Sequence, residues 1–182
     1  MKEFNLETGL QKLGYDVKDI TDVIITHLHF DHCGGLTGLS SRQLFRVFEN
    51  AKIHIQEKNF ENATHPNSRE AVSYIKNNFM PYMESGQINL VKGDTELFPG
   101  INCIESCGHT EGQQYISVED KDNLLVYCGD VIPTSAHLRI TYYMGYDIAP
   151  LLIMKEKETL LKKVFEKEGI LFCGDTLFQG SI

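Results

Sequence analysis

Short apolar runs separated by polar and glycine-containing segments recur along most of the chain. Residues 22–26 are dominated by β-branched side chains, which is typical of a short buried strand. Residues 51–55 alternate between polar and apolar positions, so a second strand is expected, with Ile53 and Ile55 on one face and His54 on the other. Apolar runs bounded by Gly, Asp or Pro predict consecutive strands at residues 88–91, 101–104, 115–118 and 124–127.

A helical period replaces this pattern in the middle of the chain. Apolar side chains three and four positions apart predict an amphipathic helix over residues 67–84. Asn67 or Ser68 is expected to be its N-cap, because short polar side chains accept hydrogen bonds from the first free backbone N–H groups. Pro81 is expected to kink or end this helix.

Near the end of the sequence the helical period returns. Residues 155–168 predict a second amphipathic helix, which Gly169 is expected to stop, and residues 170–173 predict a last strand. The sequence contains no internal repeat and no linker. The mixed order of strands and helices therefore predicts one α/β domain over residues 1–182 with stacked layers of helix and sheet.

Composition and charge narrow the range of partners. The chain has 182 residues, 42% of them hydrophobic, which is enough for one domain with a substantial core. Its formal net charge of −8 disfavours nucleic acid, because a polyanion is repelled. Five cysteines without paired spacings favour a reducing cytoplasm. We expect no membrane association, because no apolar run approaches the roughly 20 residues needed to cross a bilayer.

The richest chemistry follows the first predicted strand, where His27, His29, Asp31 and His32 lie within six positions. In an extended segment, His27 and His29 project to the same side, so both can bind one cation at about 2.0–2.1 Å. Imidazole and carboxylate ligands favour zinc, with iron or manganese as alternatives. The competing interpretation is a group of solvated loop residues, or of buried histidines with backbone partners.

Three separated segments share a resemblance to one family. The run from His27 to His32 followed by Gly-Gly resembles the His-x-His-x-Asp-His signature of the metallo-β-lactamase superfamily. The segment containing Gly108 and His109 resembles the family's Gly-His-Thr-x-Gly segment, and Gly129-Asp130 resembles its Gly-Asp segment. The resemblance implies a four-layer αββα sandwich. It also implies two metal ions held by six side chains: His27, His29 and His109 at the first, Asp31 and His32 at the second, and Asp130 bridging both.

Two features depart from the family pattern. Members usually have several dozen strand-rich residues before the first motif, whereas about two dozen precede it here, which predicts a shortened or incomplete N-terminal sheet or a fragment. Exposed strand edges would then favour pairing with another chain as a homo-oligomer. In addition, Gly174 occupies the place where a late histidine ligand is expected, so Cys173 or Asp175 is an alternative ligand, and Asp175 is also a rival to Asp130 for the bridge. Cys173 is expected to pack as a small apolar residue rather than to bind metal.

Several further side chains are open candidates. His137 follows the bridging position closely and is either at the substrate entrance or an ordinary surface histidine. Tyr142 and Tyr143 are expected to pack structurally, whereas Tyr146 is undecided between packing and substrate contact. The two remaining histidines are expected not to bind metal: His54 and His65.

The resemblance implies a metallo-hydrolase that uses a metal-bound hydroxide on a small ester, thioester or lactone. Asp31 or Asp130 would move the proton to the leaving group. Two alternatives remain open: an iron-dependent oxidoreductase of the same fold, and a non-catalytic or partly metallated protein. Phosphodiester cleavage ranks second among hydrolytic reactions, since the sequence has no clustered basic face for an RNA-sized substrate.

Overall fold

The computed structural model of the protein describes residues 6–174 and 177–179. The chain divides into two compact units. Unit 1 lies within Met1–Ile55 and Phe60–Leu90, and unit 2 within Gln56–Asn59 and Val91–Ile182. No helix among the described residues is long and apolar enough to span a bilayer.

The first half of the chain folds around a three-stranded sheet with the order β1-β4-β5. Its elements in chain order are α1 (Leu6–Lys12), β1 (Asp22–Ile24), α2 (Phe30–Cys33), β2 (Thr37–Ser40), β3 (Gln43–Arg46), β4 (Lys52–Gln56), α3 (Glu57–Thr64), α4 (Met80–Glu84) and β5 (Ile88–Val91). Strands β1 and β4 are parallel, with Val23 paired to Ile53. The strands predicted at residues 22–26, 51–55 and 88–91 are therefore confirmed, the first two with ends shifted by one or two residues.

The core of unit 1 supports the chain on both sides of the histidine motif. Leu28, Leu36, Ile53 and Phe79 are among its fully buried side chains. Tyr82 is also fully buried, and its hydroxyl donates to the Leu36 carbonyl at 2.7 Å. The hydroxyl oxygen of Tyr82 also accepts a hydrogen bond from the Phe48 N–H at 2.9 Å. One phenol thus ties the segment that follows the motif to a neighbouring turn.

The helix predicted over residues 67–84 is wrong for most of its length. Residues 71–73 and 76–78 form short 3-10 turns, and only Met80–Glu84 is α-helical. Asn67 does accept from two backbone N–H groups, but it caps a turn that ends at once. Tyr74 and Ile75 then take extended conformations. Pro81 lies in the first turn of α4, where its missing N–H is tolerated, so it begins this helix instead of ending one.

Unit 2 is built on a six-stranded sheet with the order β11-β10-β9-β8-β7-β6. Its elements are β6 (Thr95–Phe98), β7 (Ile101–Ser106), β8 (Gln113–Glu119), β9 (Leu124–Tyr127), α5 (Pro150–Glu166), β10 (Ile170–Phe172) and β11 (Leu177–Gln179). Strands β6 to β9 form an antiparallel meander, whereas β9 and β10 are parallel. A parallel pair needs a crossover connection, and α5 lies in it. The strands predicted in this half are confirmed, with β7 and β8 longer than expected.

Helix α5 begins earlier and ends differently than the sequence predicts. It starts at Pro150, five residues before the expected first residue, with proline in its first turn. At its end Glu168, not Gly169, takes the left-handed conformation, with φ of 48°. The N–H of Gly169 donates to the Val164 carbonyl at 2.8 Å, which closes the turn. Gly169 packs closely against β9, because a Cβ there would lie 3.0 Å from the Leu124 carbonyl oxygen.

Candidate metal-binding site

The histidine motif begins where β1 ends. The Ile25 N–H still donates to the His54 carbonyl at 3.0 Å, and residues 25–28 are buried. His29 then serves as the N-cap of the one-turn helix α2, and its carbonyl accepts from the N–H groups of His32 and Cys33. This change from extended chain to helix turns His32 back toward the preceding histidines.

Three imidazoles of unit 1 form a cluster, which we call the histidine half-site: His27, His29 and His32. The ring centroids of His27 and His29 are 4.5 Å apart, and those of His27 and His32 are 4.1 Å apart. A nitrogen of His27 lies within 4.8 Å of a nitrogen of each neighbour. His27 is fully buried, and the Thr26 hydroxyl is 3.2 Å from its Nδ1. Three imidazoles concentrated in this way suit a divalent transition metal.

Asp31 lies on the solvent side of this cluster. Its Oδ2 is 3.5 Å from Nε2 of His32, and 60% of its side chain is exposed. Its carboxylate is therefore accessible to solvent, unlike the buried imidazole of His27. The role of Asp31 as a ligand stays a prediction.

Glu70 is a buried neighbour of the histidine half-site that the sequence did not reveal. Its Oε1 is 3.7 Å from Nε2 of His29, although only 4% of the residue is exposed. The amides of Asn62 and Asn67 both donate to its Oε2. The Tyr74 hydroxyl is 3.4 Å from Oε1, and Tyr74 forms an isolated β-bridge with His29. The sequence analysis missed Glu70 because it assigned residues 67–84 to a regular helix, a conformation that most of them do not adopt.

Unit 2 contributes a second group, which we call the histidine–aspartate half-site: His109 and Asp130. Nε2 of His109 is 3.4 Å from Oδ2 of Asp130. His109 lies in the connection from β7 to β8 and is 1% exposed, while Asp130 lies in the 3-10 turn Gly129–Val131 after β9. Residues 21 positions apart are brought together because β8 and β9 are antiparallel neighbours.

A carboxylate holds the other ring nitrogen of His109. Oδ1 of Asp147 is 2.8 Å from Nδ1 of His109, and both side chains are 1% exposed. Oδ2 of Asp147 accepts from the Met144 N–H at 2.8 Å. The ring of Tyr146 meets the His109 ring edge to face, with centroids 5.6 Å apart, although Tyr146 is 53% exposed. Nothing in the sequence pointed to Asp147 apart from its place at the end of a tyrosine-rich run.

Helix α5 fixes the chain just before His109. The Glu156 carboxylate accepts from the Ser106 hydroxyl at 2.7 Å and from the N–H groups of Cys107 and Gly108 at 2.8 and 3.1 Å. Gly108 lies directly against the helix, because a Cβ there would be 2.5 Å from Cα of Ile153. The sequence analysis also missed Glu156, because it occupies a polar position of an amphipathic helix, where a solvent-exposed side chain is expected.

Of the two alternatives for the last ligand, Cys173 and Asp175, only Cys173 is among the described residues. Cys173 is fully buried in the core of unit 2, with its Sγ 3.5 Å from that of Cys128, so the expectation of apolar packing is confirmed. The hydrogen bond between these two thiols and their burial raise the pKa of Cys128. Gly174 donates its N–H to the Pro133 carbonyl, and a Cβ at this position would lie 2.9 Å from that oxygen. Asp175 lies outside the described residues.

The remaining candidates have varied surroundings. His137 is half-buried, with Nδ1 2.8 Å from the Thr134 hydroxyl. Tyr142 and Tyr143 are both 48% exposed, and the Arg139 guanidinium lies 5.4 Å from the centre of the Tyr142 ring, so their structural packing stays a prediction. His54 faces Asp22 at 2.7 Å. Burial raises the pKa of the Cys33 thiol to about 11, so this cysteine of the motif is not poised as a nucleophile.

A family model for the metallo-β-lactamase superfamily matches residues 2–174. The chain therefore belongs to the metallo-β-lactamase superfamily. This confirms the resemblance of the three motifs and the α/β fold that it implied. The sheet of unit 1 is short, with three strands among the described residues.

Two relatives and two solved structures illustrate the similarity. An N-acyl homoserine lactonase from Bacillus cereus is 28% identical over 180 residues, 98% of this chain and 64% of the relative. A probable metallo-hydrolase from Mycobacterium tuberculosis is 24% identical over 132 residues, 66% of this chain and 40% of the relative. A probable metal-dependent hydrolase from Staphylococcus aureus has a TM-score of 0.85 at 28% identity, covering 96% of this chain and 60% of that structure. An N-acyl homoserine lactone hydrolase with N-hexanoyl-L-homoserine at its catalytic metal centre has a TM-score of 0.72 at 24% identity, covering 96% and 63%. The chain spans less than two thirds of the length of each.

Proposed function

We propose that this protein is a metal-dependent hydrolase that opens the ring of a small lactone. The observation that carries the proposal is the donor set: three clustered imidazoles in unit 1, and an imidazole 3.4 Å from a carboxylate in unit 2. Each group follows the end of a strand and stands in one of the motifs of the superfamily. We propose that both half-sites serve the same pair of metal ions, as the resemblance implies.

The residues fit a pair of zinc ions. Imidazole nitrogen and carboxylate oxygen are ligands that zinc, iron and manganese accept, and there is no thiolate in either half-site to favour a softer ion. His27, His29 and His109 would hold the first ion, and Asp31 and His32 the second. Asp130 would lie between the ions, where its negative charge offsets part of their repulsion. We propose zinc because its preferred ligands match this set.

When bound, the ions would supply a Lewis acid for the lactone carbonyl and a nucleophile at neutral pH. Besides holding them, the side chains of this protein must move one proton. Asp130, whose side chain is 12% exposed, or Asp31, whose side chain is 60% exposed, would take the proton that the attacking oxygen gives up and pass it to the ring oxygen as the C–O bond breaks. Ring opening then leaves one carboxylate and one hydroxyl on a single product.

The choice of a lactone among carbonyl substrates rests on the relatives. Several N-acyl homoserine lactonases, such as the one from Bacillus cereus, resemble this chain over nearly its whole length. The net charge of −8 disfavours a polyanionic substrate such as RNA, so a small molecule is the better candidate. Other small esters and thioesters use the same chemistry and belong in the test.

The test uses the full chain, stripped of metal and reloaded with zinc, manganese or iron in parallel. Metal content is measured by elemental analysis, and hydrolysis is followed by acid release from a simple lactone, an N-acyl homoserine lactone, a thioester and a phosphodiester. We expect lactone hydrolysis that depends on added metal. Asp130→Asn should lower the rate by at least about 100-fold, because the bridging ligand and proton carrier is lost.

His65→Ala is the matched control, because His65 is an exposed histidine outside both half-sites. This variant should keep the metal content and the rate of the parent. Metal-loaded protein that hydrolyses no lactone, or a rate that survives both chelation and Asp130→Asn, would refute the proposal. Oxygen uptake by the iron form without hydrolysis would favour an oxidoreductase.

A further inference from the structure

Asp147 makes two hydrogen bonds that together fix its orientation. One carboxylate oxygen is 2.8 Å from Nδ1 of His109, and the other accepts from the Met144 N–H at 2.8 Å. Because a carboxylate only accepts hydrogen bonds, Nδ1 of His109 must be the donor. The other nitrogen, Nε2, is the one that lies 3.4 Å from Asp130.

The backbone around Asp147 leaves this pair little freedom. The Asp147 N–H donates to the Met144 carbonyl at 3.0 Å, which closes a turn around the carboxylate. The next two residues bond directly to the segment of His109, since the Ile148 N–H donates to the His109 carbonyl and the Ala149 N–H to the Gly108 carbonyl. Helix α5 starts at once after this segment. Asp147 and His109 therefore lie on two backbone segments that are hydrogen-bonded to each other.

A buried lysine holds the segment that leads to Asp147 and places a positive charge near its carboxylate. Lys157 on α5 is 1% exposed, and its amine donates to the carbonyls of Tyr142 and Arg139 in the segment that leads to Asp147. Burial lowers the pKa of Lys157, while the negative charge of Asp147 opposes that effect. The segment that carries Asp147 is therefore held at both ends. Lys157 binds its first carbonyls, and the first turn of α5 follows its last residue.

From this geometry we propose that Asp147 is a positioning residue, which keeps the proton of His109 on Nδ1 and thereby presents the lone pair of Nε2 to a metal ion. The inference rests on the proposed role of His109 as a metal ligand. A ligating histidine works only with the correct nitrogen free, and a carboxylate on the opposite nitrogen fixes both the ring orientation and the tautomer.

Asp147→Asn is the sharpest perturbation, because it changes hydrogen-bond capacity without changing shape. The asparagine side chain has one oxygen in place of two, so it can accept in this geometry from either the Met144 N–H or Nδ1 of His109, but not from both. The backbone N–H of Met144 cannot change its role, so the oxygen is expected to stay there and the amide NH₂ to face His109. Nδ1 then becomes the acceptor, and the proton moves to Nε2, where it blocks the metal.

The chain offers a matched control in unit 1. Asp22 bonds to a buried histidine, with its Oδ1 2.7 Å from Nε2 of His54, yet neither residue belongs to a half-site. Asp22→Asn therefore tests the general effect of weakening an aspartate–histidine pair. It should leave metal affinity unchanged.

The first measurement needs no metal. Histidine ¹⁵N chemical shifts of the metal-free protein at about pH 8, above the ordinary pKa of histidine, report which ring nitrogen carries the proton. We expect the Nδ1–H form of His109 in the parent and in Asp22→Asn, and the Nε2–H form in Asp147→Asn. The second measurement is zinc affinity by competition with a chromophoric chelator, which should fall about 10–100-fold in Asp147→Asn alone.

The outcomes separate this inference from the proposed function. An Nε2–H tautomer in the parent protein overturns the inference even if Asp147→Asn does not fold. Unchanged zinc affinity in a folded Asp147→Asn variant also overturns it. Parent protein that shows the expected tautomer and loses zinc affinity in the variant, yet hydrolyses no lactone, supports the inference and refutes only the function.

Discussion

Gly108 is the position where one added carbon should disturb the His109 segment most directly. A Cβ built on Gly108 lies 2.5 Å from both Cα and N of Ile153 and 2.6 Å from its Cβ. Two of these atoms are backbone of α5, so they cannot swing aside as the tip of a side chain would. Gly108→Ala must therefore push the segment before His109 away from the helix.

The size of this displacement follows from the contact distance. Restoring an ordinary separation of 3.4 Å requires the two segments to move apart by about 0.9 Å. Overpacking of this kind costs about 1–3 kcal/mol of stability. For a chain of 182 residues, each kcal/mol lowers Tm by about 2–4 °C. A metal ligand tolerates only about 0.2 Å of error, so zinc affinity should fall at least about tenfold.

Thermal unfolding of the metal-free protein measures the first effect, and chelator competition measures the second. Gly145→Ala is the matched control, since Gly145 is also in unit 2 and a Cβ there meets nothing within 4 Å. We expect this control to match the parent in both assays. If Gly108→Ala unfolds at the same temperature as Gly145→Ala and binds zinc as tightly, α5 does not constrain His109 as we argue.

Two further predictions concern unit 1. The hydrogen bond to His54 holds the pKa of Asp22 below its ordinary value of 3.8, so Asp22 stabilises the fold above that value and this is lost as the pH falls through the lowered pKa. Asp22→Asn should therefore lower the free energy of unfolding in urea at about pH 7, with a difference that shrinks below about pH 4; a constant difference would contradict this. Tyr82→Phe should leave the Phe48 N–H without its phenol partner, at about 1–3 kcal/mol in the same assay, whereas the Leu36 carbonyl keeps the hydrogen bond that it accepts from the Val47 N–H. Unchanged stability of this variant would show that water replaces the phenol.

The histidine half-site was predictable because its geometry is local. His27 and His29 are two residues apart in extended chain, and one helical turn brings His32 back. No distant contact is needed for these three rings to meet. The spacing of residues within a few positions is what a sequence displays directly.

The helix expected over residues 67–84 failed for the opposite reason. The spacing of apolar side chains was real, but Tyr74 forms a β-bridge with His29, and Glu70 takes hydrogen bonds from two asparagines. Such partners outweigh a helical preference that is worth only a few tenths of a kcal/mol per residue. Tertiary contacts decided this segment, and they also buried the Glu70 carboxylate beside His29.

The sequence by itself determined the chemistry of this protein: which side chains are present to bind a cation, the strand ends that carry them, and the superfamily to which they belong. Tertiary structure alone decided which groups support them. Asp147 is 38 residues from His109, and Glu156 is 50 residues from Ser106. Pairs this far apart meet only when the sheet and α5 have packed, and an ordinary aspartate or glutamate in the sequence does not signal the histidine or the backbone that it will hold.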